Sequence, residues 1–464
     1  MSKTFLMTAV AAFALAGPAL AEPVAETPAE SVVAADLATP LQAAAPSAAP
    51  AAQPAPRAYL TGDWGGLRTR LKDDGITVTA NYASESAMLL NDGGRGKAGD
   101  AAITHEVNVR SVFDLGKMGL IQGGTFNVAF EYRDGNSVTQ DSIGNLFNVQ
   151  QLYGAGMDLR PAEVTYAQAF AGDKVNFKFG LTHAGDDMAS SSLNCLFQSF
   201  SICPRSPALI INAGFSGYPV PRWGARLRVR PAKDWTVVGG VYEVNPRRAV
   251  HGDGWNLKPD SDGAMYAGEV AWAKPDAHGD GWGVAGLPGL YHVGGYQETT
   301  ERADAWSDVT GGSYVLNGTS PAIRDSRWGL WAMAEQMVWR DGPASLTVFA
   351  NAYAFDKNTA RYESYYSAGL VRRAPFRSRP KDMAGAAVTY LGVNDRYQDA
   401  QRDRISLGQS VLVPTEETNV EAFYAIQANG WLVVRPNIQF IDRPGATGTL
   451  PDAWVGGLTV RVAL

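Results

Sequence analysis

The feature that most constrains this chain is an alternation of apolar and polar residues that recurs in short segments between residues 59 and 464. In residues 125–133 the apolar side chains share one face of an extended strand, and they are Phe126, Val128, Phe130 and Tyr132. The same period of two recurs in residues 106–113, 175–182, 226–230, 432–440 and 458–464. Because successive side chains of a β-strand point to opposite sides, this period predicts an all-β fold made of two-faced strands.

Two further features favour a transmembrane antiparallel β-barrel over a soluble β-sandwich. The polar faces carry charges of both signs in segment after segment, which suits a water-filled interior. Tryptophans lie near segment ends, as a membrane interface requires, at Trp223, Trp235, Trp272, Trp282, Trp339, Trp431 and Trp454. Residues 328–340 depart from the pattern, since neither face is uniformly apolar or polar. Glu335 shares a face with Trp331, Met333 and Trp339.

The length of the alternating region sets the number of strands. Residues 59–464 number about 400, and at about 25 residues for each spanning strand with its connections they predict roughly 16 strands. A barrel of about 16–18 strands leaves an aqueous channel rather than a filled core.

The N-terminus indicates export from the cytoplasm. Residues 1–21 carry Lys3, an apolar stretch and an Ala-Leu-Ala cleavage site, so they predict a signal peptide and a mature chain that begins at Glu22. Residues 22–58 are dominated by Ala and Pro, which predicts a disordered linker. Because an exported chain meets an oxidising compartment, Cys195 and Cys203 are predicted to form a disulfide.

Charge and motifs exclude several function classes. The net charge of −6 gives no basic footprint, so nucleic acid is not an expected partner. His183 beside Asp186 and Asp187 is interpreted as a loop with solvated charges rather than a metal site, and no metal or other cofactor is expected.

Three sequence blocks resemble a known family. Residues 60–71 read LTGDWGGLRTRL, residues 113–117 read FDLGK and residues 421–427 read EAFYAIQ. These blocks resemble the carbohydrate-selective porins of the OprB family, and the similarity spans the chain from about residue 59 to residue 464. The resemblance implies a 16-stranded barrel in the bacterial outer membrane, passive diffusion of small sugars such as glucose, and a homotrimer. Outer-membrane lipids and lipopolysaccharide are then expected partners.

The first of these blocks predicts a short helix before the barrel. Thr61 or Asp63 is expected to cap a helix that carries Leu67 and Leu71 on one side. By analogy with the family, the first spanning strand follows at Ile76.

The candidate pore-lining residues are charged residues in the polar phase of their strands. They are Glu106, Arg110, Glu131, Arg133, Lys178, Arg226, Arg228, Arg230, Glu269, Glu421 and Arg435. Opposing acidic and basic rows tune selectivity in channels, and Arg133, Glu131 and Arg110 are the preferred constriction residues. The alternative is that each charge only hydrates the barrel wall. Arg372, Arg373, Arg377 and Arg379 lie in a predicted loop, facing either lipopolysaccharide phosphates or the lumen.

Two other functions compete with a sugar channel that has no enzymatic activity. One is an exported, soluble all-β enzyme or binding protein acting on carbohydrates. The other is a barrel whose loops have a structural or adhesive function. The orientation of the apolar faces separates the first of these from a porin, because only a porin turns Phe126, Phe130, Phe177 and Phe179 towards lipid.

Overall fold

A computed structural model describes residues 57–203, 205–274 and 286–464 of the chain. The predicted signal peptide, the linker up to residue 56 and Trp282 lie outside the described residues. Within the described ranges, no helix is both long and apolar enough to cross a membrane.

Sixteen of the described strands close into one antiparallel barrel. Each strand pairs with its neighbours in chain order, and the first strand pairs with the last to close the cylinder. The strands are β1 (Ile76–Leu89), β2 (Ala101–Asp114), β3 (Gly124–Gly135), β4 (Leu159–Phe170), β5 (Val175–Thr182), β6 (Arg222–Ala232), β7 (Trp235–Val244), β8 (Gly263–Lys274), β9 (Gly289–Glu298), β10 (Arg302–Ala303), β11 (Ile323–Arg324), β12 (Arg327–Asp341), β13 (Ala344–Phe355), β14 (Tyr362–Arg373), β15 (Met383–Val393), β16 (Glu416–Asn429), β17 (Leu432–Asp442) and β18 (Ala453–Ala463). Strands β10 and β11 form a separate two-stranded sheet between β9 and β12.

The described helices are short and belong to the segment before β1 and to the connections between strands. The α-helices are α1 (Leu67–Asp73), α2 (Ala184–Asp187), α3 (Ala208–Asn212) and α4 (Asp395–Ser406). Single helical turns of other types occur at Trp64–Gly66, Thr139–Ile143, Asn194–Leu196, Pro246–Ala249, Asp253–Trp255 and Pro444–Ala446.

The helix predicted before the barrel is present as α1, but its predicted cap is wrong. Gly66, in the left-handed conformation with φ 90°, occupies the N-cap position of α1. Asp63 acts from further upstream, since its Oδ1 accepts hydrogen bonds from the backbone N–H and the hydroxyl of Thr69, both at 3.0 Å. A glycine is needed at the N-cap because the chain turns there through a conformation that side chains disfavour.

The alternation along each strand sorts side chains between lipid and lumen. On β5, Phe177 and Phe179 are 39% and 46% exposed on the outer surface, whereas Lys178 between them is 8% exposed. Stacked aromatic rings of β7, β8 and β9 (Trp235, Trp272 and Tyr291) lie at one rim of this outer surface. An apolar outer band bordered by aromatic residues matches the hydrocarbon layer and its interfaces.

The two ends of the barrel differ in the length of their connections. Short turns join strands at one end, here called the turn end, at residues 115–123, 171–174, 233–234, 342–343, 374–382 and 430–431. The last residue, Leu464, also lies at the turn end, where its carbonyl accepts a hydrogen bond from Arg68 at 2.9 Å. Long connections occupy the opposite end, here called the loop end, and the longest described one is residues 183–221.

The loop 183–221 folds into the barrel and packs against one side of its wall. Phe197 of this loop contacts Phe349 of β13 and Phe423 of β16, with ring centroids 6.0 and 5.0 Å apart. Phe215 contacts Trp331 of β12 at 5.8 Å. The loop therefore packs through apolar side chains against the inner faces of β7–β9 and β12–β16, whereas β2–β6 turn charged side chains inward.

Two features explain the mixed pattern of residues 328–340: Trp331 packs inward against Phe215 of the loop, and a β-bulge changes the phase near the end of the strand. The pairing of β12 with β13 shifts register between Met337 and Trp339. Trp331 and Met333 face inward and are 2% and 3% exposed. Because a bulge inserts one extra residue into a strand, it reverses the inside–outside phase for the residues that follow.

Candidate functional site

The inner wall of β2–β6 carries a row of ion pairs in three groups, one of which includes a residue of the inward loop. Its members are Glu106, Arg110, Glu131, Arg133, Glu163, Lys178, Asp187 and Arg226, and we call this set the lumen charge row. Strand alternation places the wall residues of β2–β6 inward, and antiparallel register places them side by side. Four cations meet four carboxylates, so the row has no net charge.

Arg133 is the centre of the first part of the row. Glu106 of β2 lies directly opposite Arg133 of β3 in the pairing register. The Arg133 guanidinium donates from Nη2 to Glu106 at 2.6 Å and from Nε to Glu131 at 2.5 Å. A planar guanidinium that binds two carboxylates is fixed in orientation, because its donors leave in set directions.

The second part of the row ties the loop to the wall. Lys178 of β5 and Arg226 of β6 are register partners, and both reach Asp187 in α2 of the loop, at 2.6 and 2.9 Å. Burial alone would raise the pKa of the Asp187 carboxyl, but the charges of Lys178 and Arg226 outweigh it and hold the pKa below its usual value. Asp187 therefore stays ionised and fastens the loop.

The loop also presents a neutral hydroxyl to the first part of the row. The Asn108 side-chain amide of β2 donates to the hydroxyl of Tyr218. Burial, followed by the charge of Glu131, raises the pKa of Tyr218 well above its usual value. The phenol therefore keeps its proton, and through this hydroxyl the loop contacts β2 beside the ion pairs of Arg133.

Arg228 and Arg230, two further predicted pore residues, lie nearer the turn end. Both bind Asp173 in the turn between β4 and β5, at 2.6 and 2.8 Å. They extend the polar wall of β6 below Arg226 but do not join the pairs around Arg133.

Glu421 and Arg435 perform a different task from the lumen charge row. Glu421 of β16 accepts hydrogen bonds from the backbone N–H groups of Gln198 and Ser199, at 2.7 and 2.8 Å, and has no exposed surface. Arg435 of β17 donates to the carbonyl of Cys195 at 3.4 Å. The sequence grouped these two residues with the channel-lining charges, and the structure places them beneath the loop as its fastenings.

Glu421 belongs to a set of buried glutamates that accept backbone N–H groups from inward-folded connections. This set, here called the anchoring carboxylates, is Glu85 with Leu152, Glu269 with Ala189, Glu298 with Gly214, Glu417 with Leu146, and Glu421 with Gln198. Polar groups in a buried loop need such partners, since an unpaired buried N–H costs about 1–3 kcal/mol. Glu269 was expected in the lumen, whereas Glu85, Glu298 and Glu417 were not singled out from sequence.

The disulfide lies in the same loop. Cys195 and Cys203 are bonded, with their Cα atoms 4.6 Å apart. Phe197 and Ile202, inside this small ring, are fully buried in the apolar cluster that faces β13 and β16. The disulfide thus links the two ends of the segment 195–203, which Glu421 and Arg435 attach to the barrel wall.

Four members of this site escaped the sequence reasoning. Glu163 is in the polar phase of β4 and was available to the same alternation argument. Tyr218 lies in a loop without periodicity and Asp173 lies in a turn, so no local signal marked them. Asp187 was interpreted with His183 and Asp186 as part of a loop with solvated charges, and this interpretation is wrong, because His183 is fully buried and both aspartates are ion-paired. No group of three or more potential metal ligands occurs among the described residues.

A closed 16-stranded barrel with an apolar outer band, a charged inner wall and an inward loop defines the class of outer-membrane porins. Comparison with known proteins agrees. The family model described as "Carbohydrate-selective porin, OprB family" matches residues 98–464. Porin B of Pseudomonas aeruginosa is 30% identical over 87% of this chain and 90% of its own length, and the putative porin QuiX of Acinetobacter baylyi is 31% identical over 88% and 93%.

A solved structure supports the same assignment. The structure titled "High pH structure of Pseudomonas putida OprB" superimposes with a TM-score of 0.83 at 29% identity, covering 88% of this chain and 99% of that one. This chain belongs to the OprB family of carbohydrate-selective porins, and it is a β-barrel of the outer membrane. In such barrels the short turns face the periplasm, so the turn end is the periplasmic end.

Proposed function

We propose that small, uncharged sugars diffuse through the barrel along the inner wall of β2–β6, and that Arg133, Glu131 and Arg110 form the narrowest contacts of this passage, beside Tyr218. The observation that carries this proposal is the charge balance of the lumen charge row, in which each ion pair has N–O distances of 2.5–2.9 Å. A row without net charge favours neither cations nor anions strongly, whereas it offers many hydrogen-bonding groups.

The chemistry of sugars fits this wall. Neighbouring hydroxyl groups of a sugar both donate and accept hydrogen bonds, so one sugar can bridge a carboxylate and a guanidinium that already contact each other. Each group keeps free capacity in its ion pair, since a carboxylate has about four acceptor sites and a guanidinium five donors. Passing sugars then exchange hydrogen bonds with water and wall without leaving a buried charge unpaired.

No step in this passage needs a catalyst, so we assign the protein passive transport and no enzymatic activity. The soluble carbohydrate-active alternative required an interior filled by the apolar faces. In this barrel Phe126, Phe130, Phe177 and Phe179 are on the outside, at 36–46% exposure.

Swelling of liposomes that contain the purified protein tests the proposal across a size series of sugars. We expect fast swelling with monosaccharides and a clear decrease for Arg133→Ala, which leaves the carboxylates of Glu106 and Glu131 unpaired, and for Glu131→Ala, which removes one of the two carboxylates that orient Arg133. Arg247→Ala is the matched control, since Arg247 pairs with Asp260 and Asp262 outside the lumen, at 3.2 and 3.0 Å. Equal rates for all four proteins would contradict the placement of the constriction.

Three further expectations from the sequence stay proposals. N-terminal sequencing of the mature protein should begin at Glu22 if residues 1–21 are a signal peptide and residues 22–58 a linker ahead of the barrel domain, residues 59–464. Cross-linking in outer-membrane vesicles should yield three chains if the protein is a homotrimer. Lipopolysaccharide should copurify with the protein if the loop end contacts this lipid. Purified protein that carries no lipopolysaccharide would contradict that contact.

A further inference from the structure

An arginine lies on the outer, lipid-facing surface of the barrel at the periplasmic rim. Along β14, Leu370 is 42% exposed and Val371 is 1% exposed, so alternation turns Arg372 outward. Its guanidinium lies over the ring of Trp339 at 3.9 Å from the ring centre. Trp339, Leu346 and Arg372 are register partners across β12, β13 and β14, which places the pair on one row of the outer wall.

The adjacent turn adds more positive charge to this row. Residues 372–382 contain five basic side chains and one acidic side chain, Asp382. Asp382 is already engaged, because it accepts from Arg379 at 2.8 Å, from the Tyr424 hydroxyl at 2.7 Å and from the Gln427 backbone N–H at 3.0 Å. Among the described residues, no carboxylate forms an ion pair with Arg372, Arg377 or Lys381.

Apolar surface accompanies these cations. Phe376, in the same turn, is 58% exposed, and its ring lies 6.0 Å from that of Tyr424. An arginine on a lipid-facing wall extends its head group towards the membrane surface, where the available anions are lipid phosphates. A tryptophan beneath a guanidinium holds it by a cation–π contact.

We propose that Arg372, Arg377 and Lys381 bind the phosphate of a phospholipid headgroup in the periplasmic leaflet, with Trp339 positioning Arg372. The guanidinium matches a phosphate because it donates two parallel hydrogen bonds, and the exposed Phe376 lies where the lipid's glycerol and upper acyl carbons would pass. From the sequence alone, this arginine cluster could face either lipopolysaccharide phosphates or the lumen. Its position at the turn end separates it from the outer leaflet, where lipopolysaccharide resides.

Native mass spectrometry of the full-length protein, exchanged into detergent with phosphatidylglycerol, measures the bound lipid. We expect Arg372→Gln to lower lipid retention about fivefold, since one basic residue near an anionic membrane surface contributes about 1 kcal/mol. The triple variant R372Q/R377Q/K381Q should retain almost none. Arg373→Gln is the matched control, because it removes the same charge from the next residue, whose side chain alternation turns away from lipid.

Three results would overturn the proposal. Equal lipid retention by wild type and Arg372→Gln would show that the cluster does not hold lipid, provided that a heat-dependent shift on gels shows both proteins to be folded. Displacement of the lipid by millimolar inorganic phosphate would show a site for free phosphate rather than for a headgroup. An equal loss of lipid retention in Arg373→Gln and Arg372→Gln would show that the lipid responds to the total positive charge of the turn and not to the outward-facing arginine.

Discussion

Arg110 of β2 and Glu163 of β4 form an ion pair at 2.5 Å although a whole strand lies between them. Ala129 of β3 is the register partner of both residues. Strands two apart are separated by about 9.5 Å, which an arginine and a glutamate span only when the residue between them is small. This ion pair of the lumen charge row thus spans three strands because residue 129 is an alanine.

Removing the carboxylate of this pair should change ion selectivity. In Glu163→Gln the charge of Arg110 is left uncompensated, and a unit charge about 8 Å from the ion path contributes roughly 0.5 kcal/mol in water, or about a twofold preference. We expect anions to be favoured about twofold relative to wild type, measured as the reversal potential across a planar bilayer with a salt gradient. An unchanged reversal potential would mean that Arg110 does not face the ion path.

Removing an anchoring carboxylate should widen the channel. Glu421→Ala leaves the N–H groups of Gln198 and Ser199 without their partner, at a cost of about 1–3 kcal/mol for each buried group. We expect the loop to detach, so that oligosaccharides excluded by wild type enter liposomes and added protease cleaves within residues 183–221. The control is Glu363→Ala, a glutamate of β14 that binds the backbone of Asp395 instead of this loop. An unchanged size limit in Glu421→Ala would contradict the anchoring role.

The disulfide should contribute stability more than selectivity. Cys195 and Cys203 are separated by 8 positions, and closing so small a ring stabilises the fold by about 2–3 kcal/mol in the chain-entropy model. We expect the C195S/C203S variant to unfold at a lower urea concentration in detergent, with sugar swelling rates close to wild type, because Glu421 and the apolar contacts of Phe197 still hold the loop. A raised size limit, as expected for Glu421→Ala, would show instead that the bond itself positions the loop.

The Asp187 fastening predicts how the channel responds to acid. Its pKa is lower in the folded protein than in an unfolded chain, because Lys178 and Arg226 outweigh the effect of burial. Its stabilising contribution is therefore complete above the ordinary aspartate pKa of about 3.9 and is lost as the pH falls through the lower folded-state value. We expect the difference in conductance between wild type and Asp187→Asn to be constant from pH 8 to about pH 5 and to shrink only below about pH 4. A difference that disappears already near pH 6 would contradict this assignment.

Local pattern was sufficient for the architecture. The period of two assigned lipid and lumen faces correctly on strands such as β3 and β5, because side-chain direction in a strand depends only on position along it. Chain length divided by the reach of a spanning strand predicted about 16 strands, and the barrel has 16. The pattern failed at residues 328–340, where a bulge that depends on pairing with β13 reverses the phase.

The sequence by itself thus determined which residues face inward, and tertiary structure decided what each inward charge does. Glu131 and Glu421 have the same phase and the same chemistry, yet one borders the passage and the other holds a loop. The difference arises because Glu421 meets Gln198, which is 223 positions away in the chain. No local period encodes where a long loop folds, since that depends on which apolar side chains of distant strands bury its own.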